Sequence, residues 1–142
     1  MKNIAFIFLG LFFSFQVFAQ KDTDTVISNN PQKLKVKLLY FHITNRCNTC
    51  RSIEAAVRKT IDENFKTELD SGIIDLYILN CELPENKTIS EKYQAYGATL
   101  AVTKVVGVKE KTDDLTNFAF AKIHDEKVFV SELKSKIQEL LK

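Results

Sequence analysis

Two apolar runs, Val36 to Ile43 and Ile73 to Leu79, bracket a stretch in which apolar residues recur every three or four positions, and Cys47 and Cys50 sit where the first run ends. The runs are β-branched and aromatic without strict alternation, which suits strands buried on both faces of a sheet. Between them Ile53, Ala56, Val57, Thr60, Ile61, Phe65 and Leu69 are interleaved with Glu54, Arg58, Lys59, Asp62, Glu63 and Lys66, the pattern of one long amphipathic helix ending at Ser71-Gly72. Strand, helix, strand implies a right-handed parallel crossover. The chain is thereby committed to an α/β class, with the cysteine pair at the first strand-to-helix junction.

Downstream, residues 86–96 read as a shorter helix broken at Gly97, and Thr99 to Val108 is β-branched enough for a third strand. Lys109 to Asp114 reads as a polar break. Leu115 to Ile123 is expected to be a strand or irregular segment lying antiparallel beside the third strand. The chain closes on a helix with the apolar face Phe129, Val130, Leu133, Ile137, Leu140 and Leu141, capped by Asp125. The expected architecture is one domain with a central mixed β-sheet flanked by helices. At 142 residues and 45% hydrophobic, the chain can bury one ordinary core.

The first residues have a different character. Lys2 precedes an apolar run from Ile4 to Phe13, and Val17-Phe18-Ala19 gives a small-residue exit before Gln20. This is the pattern of a secretory signal peptide over residues 1–19, and the run is too short to span a bilayer. No cysteine lies near the cleavage point, so lipid attachment there has no acceptor. Residues 20–33 are polar and without apolar period, which predicts a flexible leader ahead of a domain over 34–142. The mature protein is expected to be exported, periplasmic or secreted, with no remaining membrane span. Removing residues 1–19 leaves 19 basic against 18 acidic side chains, a net charge near +1. Phosphate-backbone binding needs clustered cations, so nucleic acid is not an expected partner.

Three cysteines remain, at 47, 50 and 81, an odd count that a purely structural disulfide framework would avoid. A cysteine opening a helix meets unpaired backbone N–H groups and the positive end of the helix dipole, which favour thiolate. Cys47 is therefore the expected nucleophile. Cys50, one turn later, is placed to resolve a mixed disulfide formed on Cys47. Such a dithiol needs no cofactor, and its expected partner is a protein disulfide or a reductase. Arg46 and Arg51 flank the pair, either adding favourable charge to a thiolate or simply solvated. The second reading is a metal-binding or metal-delivery protein that uses Cys47 and Cys50 with His42 or Cys81 as a third soft ligand. An inert structural disulfide would close too small a loop for much entropic benefit.

The pieces Tyr40-Phe41-His42, Arg46-Cys47-Asn48-Thr49-Cys50, Pro84-Glu85-Asn86 and Glu91-Lys92-Tyr93-Gln94 resemble the thioredoxin superfamily, and more narrowly the exported thioredoxin-like nitrophenyl-compound nitroreductase subunits. The resemblance runs from about Val36 onward and is clearest through Tyr96. It implies a thioredoxin-like fold and a link to reduction of nitroaromatic or arsenical compounds, with a membrane electron donor as partner. Departures from ordinary thioredoxins are visible in the same residues. The inner pair is Asn48-Thr49 after Arg46, and the chain has no tryptophan. Thr99 falls where a cis-proline would face the dithiol, so a trans peptide is expected there. Tyr40 stands in for the buried acid that assists proton transfer. Cys81 occupies a position where the family pattern has an acid, either as a second resolving thiol, a third ligand or a partly buried small hydrophobe. His42 is a ligand, a proton shuttle or a histidine satisfied by backbone, and His124 is expected to face solvent.

Overall fold

The computed structural model describes residues 24–27 and 33–142. The signal segment expected over 1–19 lies outside the described residues, as does most of the expected leader. The described residues form an α/β fold with a five-stranded mixed sheet in the order β1-β3-β2-β4-β5 and helices on both faces. Strand β2, Val36–His42, is central. It pairs parallel with β3, Ile74–Asn80, and antiparallel with β4, Thr99–Val106. Parallel pairing of β2 with β3 requires a crossover, and helices α1, Asn48–Asn64, and α2, Lys66–Asp70, supply it.

The two faces of β2 sort by residue parity, as a pleated strand demands. Leu38 and Tyr40 join Ile53, Val57 and Ile61 of α1 in the larger core, with Phe129, Leu133 and Ile137 of α5, Glu126–Leu141. Leu39 and Phe41 point the other way, toward Leu79, Ala95, Ile89 and Tyr93. The second face is covered by a 3₁₀ turn, Pro84–Asn86, and the short helix α3, Lys87–Lys92. Asp125 caps α5 as expected, its carboxylate accepting from the Val128 N–H at 3.2 Å.

Four expectations are corrected. The long helix is two, because Phe65 leaves helical geometry at φ −136° to bury its ring in the core, where it is 2% exposed. Lys109–Asp114 is not a break but strand β5, paired antiparallel with β4 across a two-residue turn at Gly107-Val108. Gly107 has φ +60°, the sign that tight hairpins of this hand require. All six β5 residues are exposed, so no burial pattern marked them as a strand. The strand expected within Leu115 to Ile123 is instead helix α4, Thr116–Lys122, which buries Ala119 next to Leu115. Finally, the leader expected to be flexible over 20–33 contributes strand β1, Thr25–Ile27, antiparallel to β3. Its backbone pairing follows from the open edge of β3, which the leader's composition does not reveal.

Phe129 is fully buried, with its ring centroid 5.3 Å from that of Phe118. Phe129→Ala is expected to lower stability by about 3–5 kcal/mol, read as a fall in the urea midpoint, whereas Phe120→Ala, at a position 39% exposed, should change it by no more than ~0.5 kcal/mol.

Candidate functional site

The carboxyl end of β2 delivers the chain into a short loop, Ile43 to Arg46, and then into α1. Cys47 is the N-cap of that helix, in extended geometry, and its sulfur accepts the Cys50 N–H at 3.2 Å. A sulfur thus does the work that Ser, Asp or Asn does at most helix starts. No acidic residue occupies the first turn of α1 to oppose a negative charge. Cys47 is exposed and Cys50 half-buried, and their sulfurs are 2.6 Å apart. Closing a disulfide from this arrangement takes a two-electron oxidation and side-chain rotation, with no movement of the backbone required.

The two thiols are driven in opposite directions. Hydrogen bonds from the Cys50 thiol and the Cys50 N–H lower the pKa of Cys47 below the ordinary thiol range. Burial, and the bond that holds its proton against Cys47, raise that of Cys50. One exposed thiolate beside one protected thiol is the division of labour expected from their order on the helix. These opposed acidities assign the proton in the sulfur–sulfur contact to Cys50, with Cys47 as acceptor.

Tyr40 lies beneath the pair. Its hydroxyl donates to the Cys50 carbonyl at 2.8 Å, joining the central strand to the first turn of α1. Burial first, then the nearby Cys50 charge, push its pKa above the usual phenol range, so it remains a donor at neutral pH. Tyr40 is accordingly a positioning residue; the phenol is a poor proton acceptor here.

Arg46 is not solvated. Its side chain is 6% exposed and ion-paired with Glu54 of α1, which also accepts from Arg58 at 2.8 Å. Glu54 takes up the charge, and Arg46 is absent from the causes that favour the Cys47 thiolate, which are hydrogen bonds. Arg51 is exposed. Thr99 opens β4 in register with Phe41, at the end of the sheet where β2 leaves for the cysteine loop. No cis peptide occurs among the described residues.

His42 is 2% exposed, with its Nδ1 3.1 Å from the Ile43 carbonyl. Cys81 follows β3 at the same sheet end, its N–H donating to the His42 carbonyl at 2.8 Å. Its side chain, however, packs against the cluster of Leu39, Phe41, Leu79 and Ala95 on the face opposite Tyr40, and burial raises its pKa. Among the described residues no three His, Cys, Asp or Glu side chains converge to hold a metal ion. The set Cys47, Cys50, His42 and Cys81 is therefore not brought together. His124 is exposed, as expected.

A polar network escaped the sequence reading. Asn80 donates from its side-chain amide to the Thr44 hydroxyl at 3.0 Å, and the Oδ1 of the same amide accepts the Glu82 N–H at 3.0 Å. Glu82 in turn accepts the Thr44 N–H at 2.9 Å, and hydrogen bonding by Thr44, from its side chain first and its backbone second, holds the carboxyl below the usual range. Asp24 accepts the Asn80 N–H at 2.8 Å and pairs with the Asn86 amide. The loop carrying the cysteines is thus tied to the end of β3 and to the residue before β1. Apart from the Asn80–Glu82 bond, these contacts span 36 to 62 positions, which leaves no local signal for them.

Two measurements follow from this geometry. Iodoacetamide labelling of the reduced protein across pH should show Cys47 reacting with a midpoint below that of a free thiol, and Cys50 and Cys81 only at higher pH; a common midpoint for all three would contradict the arrangement. Tyr40→Phe should cost about 1–3 kcal/mol by leaving the Cys50 carbonyl without its donor, and should shift the Cys47 labelling midpoint if the first turn of α1 relaxes.

No protein-family profile matches the chain, and no curated protein matches it in sequence. A solved structure described as "Structure of a malarial protein" aligns at 17% identity with a TM-score of 0.39, covering 64% of this chain and 98% of that one.

Proposed function

We propose that the protein is an exported thiol–disulfide oxidoreductase or electron-transfer module on a thioredoxin-like fold, related to the exported nitrophenyl-compound nitroreductase subunits. The observation that carries this reading is the pair itself: an exposed Cys47 sulfur at a helix N-cap, acidified by hydrogen bonds from Cys50, with a protected Cys50 thiol in contact. A strand-helix-strand crossover that delivers the pair to one end of a mixed sheet supports the fold assignment.

In the reducing direction the Cys47 thiolate attacks one sulfur of a partner's disulfide, forming a mixed disulfide and expelling the partner's other sulfur as thiolate. The Cys50 thiol loses its proton to solvent and attacks the Cys47 sulfur. That step closes the Cys47–Cys50 disulfide and expels the second partner thiolate, so the partner gains two electrons and, on protonation, two protons. A reductase, or an electron donor in the membrane, must then return two electrons to this protein. Tyr40 keeps the first turn of α1 in place while bonds at Cys50 change. No group beyond the dithiol is needed.

Equilibration in glutathione buffers followed by thiol trapping tests the reading. One two-electron couple confined to Cys47 and Cys50 is expected, with Cys81 unchanged. Cys50→Ser should accumulate a glutathione adduct on Cys47, and Cys47→Ser should form none. A pair locked in one state across the buffers, or an adduct that forms equally on Cys81, would sink the proposal.

A further inference from the structure

The opposite end of the sheet carries a surface that the cysteine chemistry does not use. The β4–β5 hairpin ends on Val106-Gly107-Val108, with Val106 63% and Val108 99% exposed. A β-carbon built on Gly107 would meet nothing within 4 Å, so the tip projects into open space. Two large apolar side chains at a hairpin tip lose hydration only if something covers them.

The surroundings of the tip are cationic. Lys104 and Lys111 are register partners across β4 and β5, and Val106 is opposite Lys109. Like charges directly opposite one another destabilise a ladder unless an anion relieves them. Beside the hairpin, a groove of about 510 Å³ is floored by Ile73, Leu140 and Leu141 and rimmed by Lys33, Lys35 and Lys104. None of these lysines makes an ion pair with a described residue, whereas Lys37, Lys59, Lys66, Lys87, Lys92 and Lys122 each sit on a carboxylate. The carboxylate nearest in register, Glu110 opposite Val105, is taken up by Lys37 and Lys92, and Asp113 and Glu139 line a neighbouring cleft with Lys136. An apolar tip inside a collar of unneutralised ammonium groups matches a surface that is apolar within and negative at its boundary.

We infer that this end of the molecule docks on an anionic phospholipid bilayer, the valines entering the interface and the lysines meeting phosphate. Interfacial binding of this kind adds apolar burial to electrostatic attraction, and needs no spanning helix; none is present among the described residues. Strand β2 runs its seven residues from this end toward the cysteine loop, so at about 3.3 Å per residue Cys47 lies roughly 20 Å away from the lysine collar. A docked molecule presents its thiols to the aqueous phase.

The test is vesicle co-sedimentation of the full chain with phosphatidylcholine–phosphatidylglycerol mixtures and with phosphatidylcholine alone. The apolar run near the amino terminus is common to every variant, so differences between variants report the hairpin. Wild type should favour the anionic vesicles by roughly tenfold or more, and lose that preference in high salt. The double variant Lys104→Glu, Lys111→Glu should abolish the preference. Val108→Asp, at a position with no packing to lose, should weaken anionic binding severalfold with an unchanged circular dichroism spectrum. Variants that sediment like wild type would overturn the inference. So would a wild type that ignores lipid charge yet is retained on heparin, which would assign the patch to a soluble polyanion.

Discussion

Strand β2 is hydrogen-bonded on both edges and covered on both faces, and every other element takes its position from that. Its partners β3 and β4 run in opposite senses, so the sheet is mixed from its centre outward. Odd residues face α3 and even residues face α1 and α5, which leaves no solvated side and no room for a register slip. Val36, Leu38, Leu39 and Phe41 are all fully buried. Because β2 is fixed so completely, the residue at which it ends is fixed too. The start of α1, with its sulfur cap, therefore has a defined place relative to β3 and β4.

The parts of the fold legible in the sequence were those whose side chains are sorted by burial. The two central strands, α5 and the first four turns of α1 carry their period in apolar residues, and the structure places them close to expectation. Strand β5 and helix α4 were misread for the converse reason. Lys109 to Asp114 is exposed throughout, so its strand character rests on backbone pairing and on the turn at Gly107, which leave no apolar trace. Thr116 to Lys122 buries little beyond Ala119, too short a signal to separate helix from strand. The break at Phe65 and the pairing of β1 are tertiary effects, set by a core pocket and an unpaired strand edge that exist only once the sheet has assembled.

At the candidate site the same division holds. The placement of Cys47 and Cys50 is legible because it is local: a helix start, one turn and two sulfurs. Tyr40 was singled out, but its part is to hold the Cys50 carbonyl, a role that depends on burial beneath the helix. Arg46 was read as a flanking cation, and only its ion pair with Glu54 shows that its charge is already satisfied. Cys81 is tied to the same sheet end by its backbone bond to His42 while its side chain lies on the other face, a distinction of parity that cysteine spacing does not display.

The opposed acidities of Cys47 and Cys50 have an electrochemical consequence. Between the two pKa values the reduced pair carries one proton rather than two, so each two-electron reduction takes up a single proton. The midpoint of the couple then falls with pH by about 30 mV per unit in that window, and by about 59 mV per unit below the Cys47 pKa. In the redox role proposed above, a change in surrounding acidity would therefore shift the balance between this pair and any partner whose thiols both remain protonated, with no movement of the chain. The first turn of α1, by setting which sulfur keeps its proton, sets how strongly the electron equilibrium follows the medium.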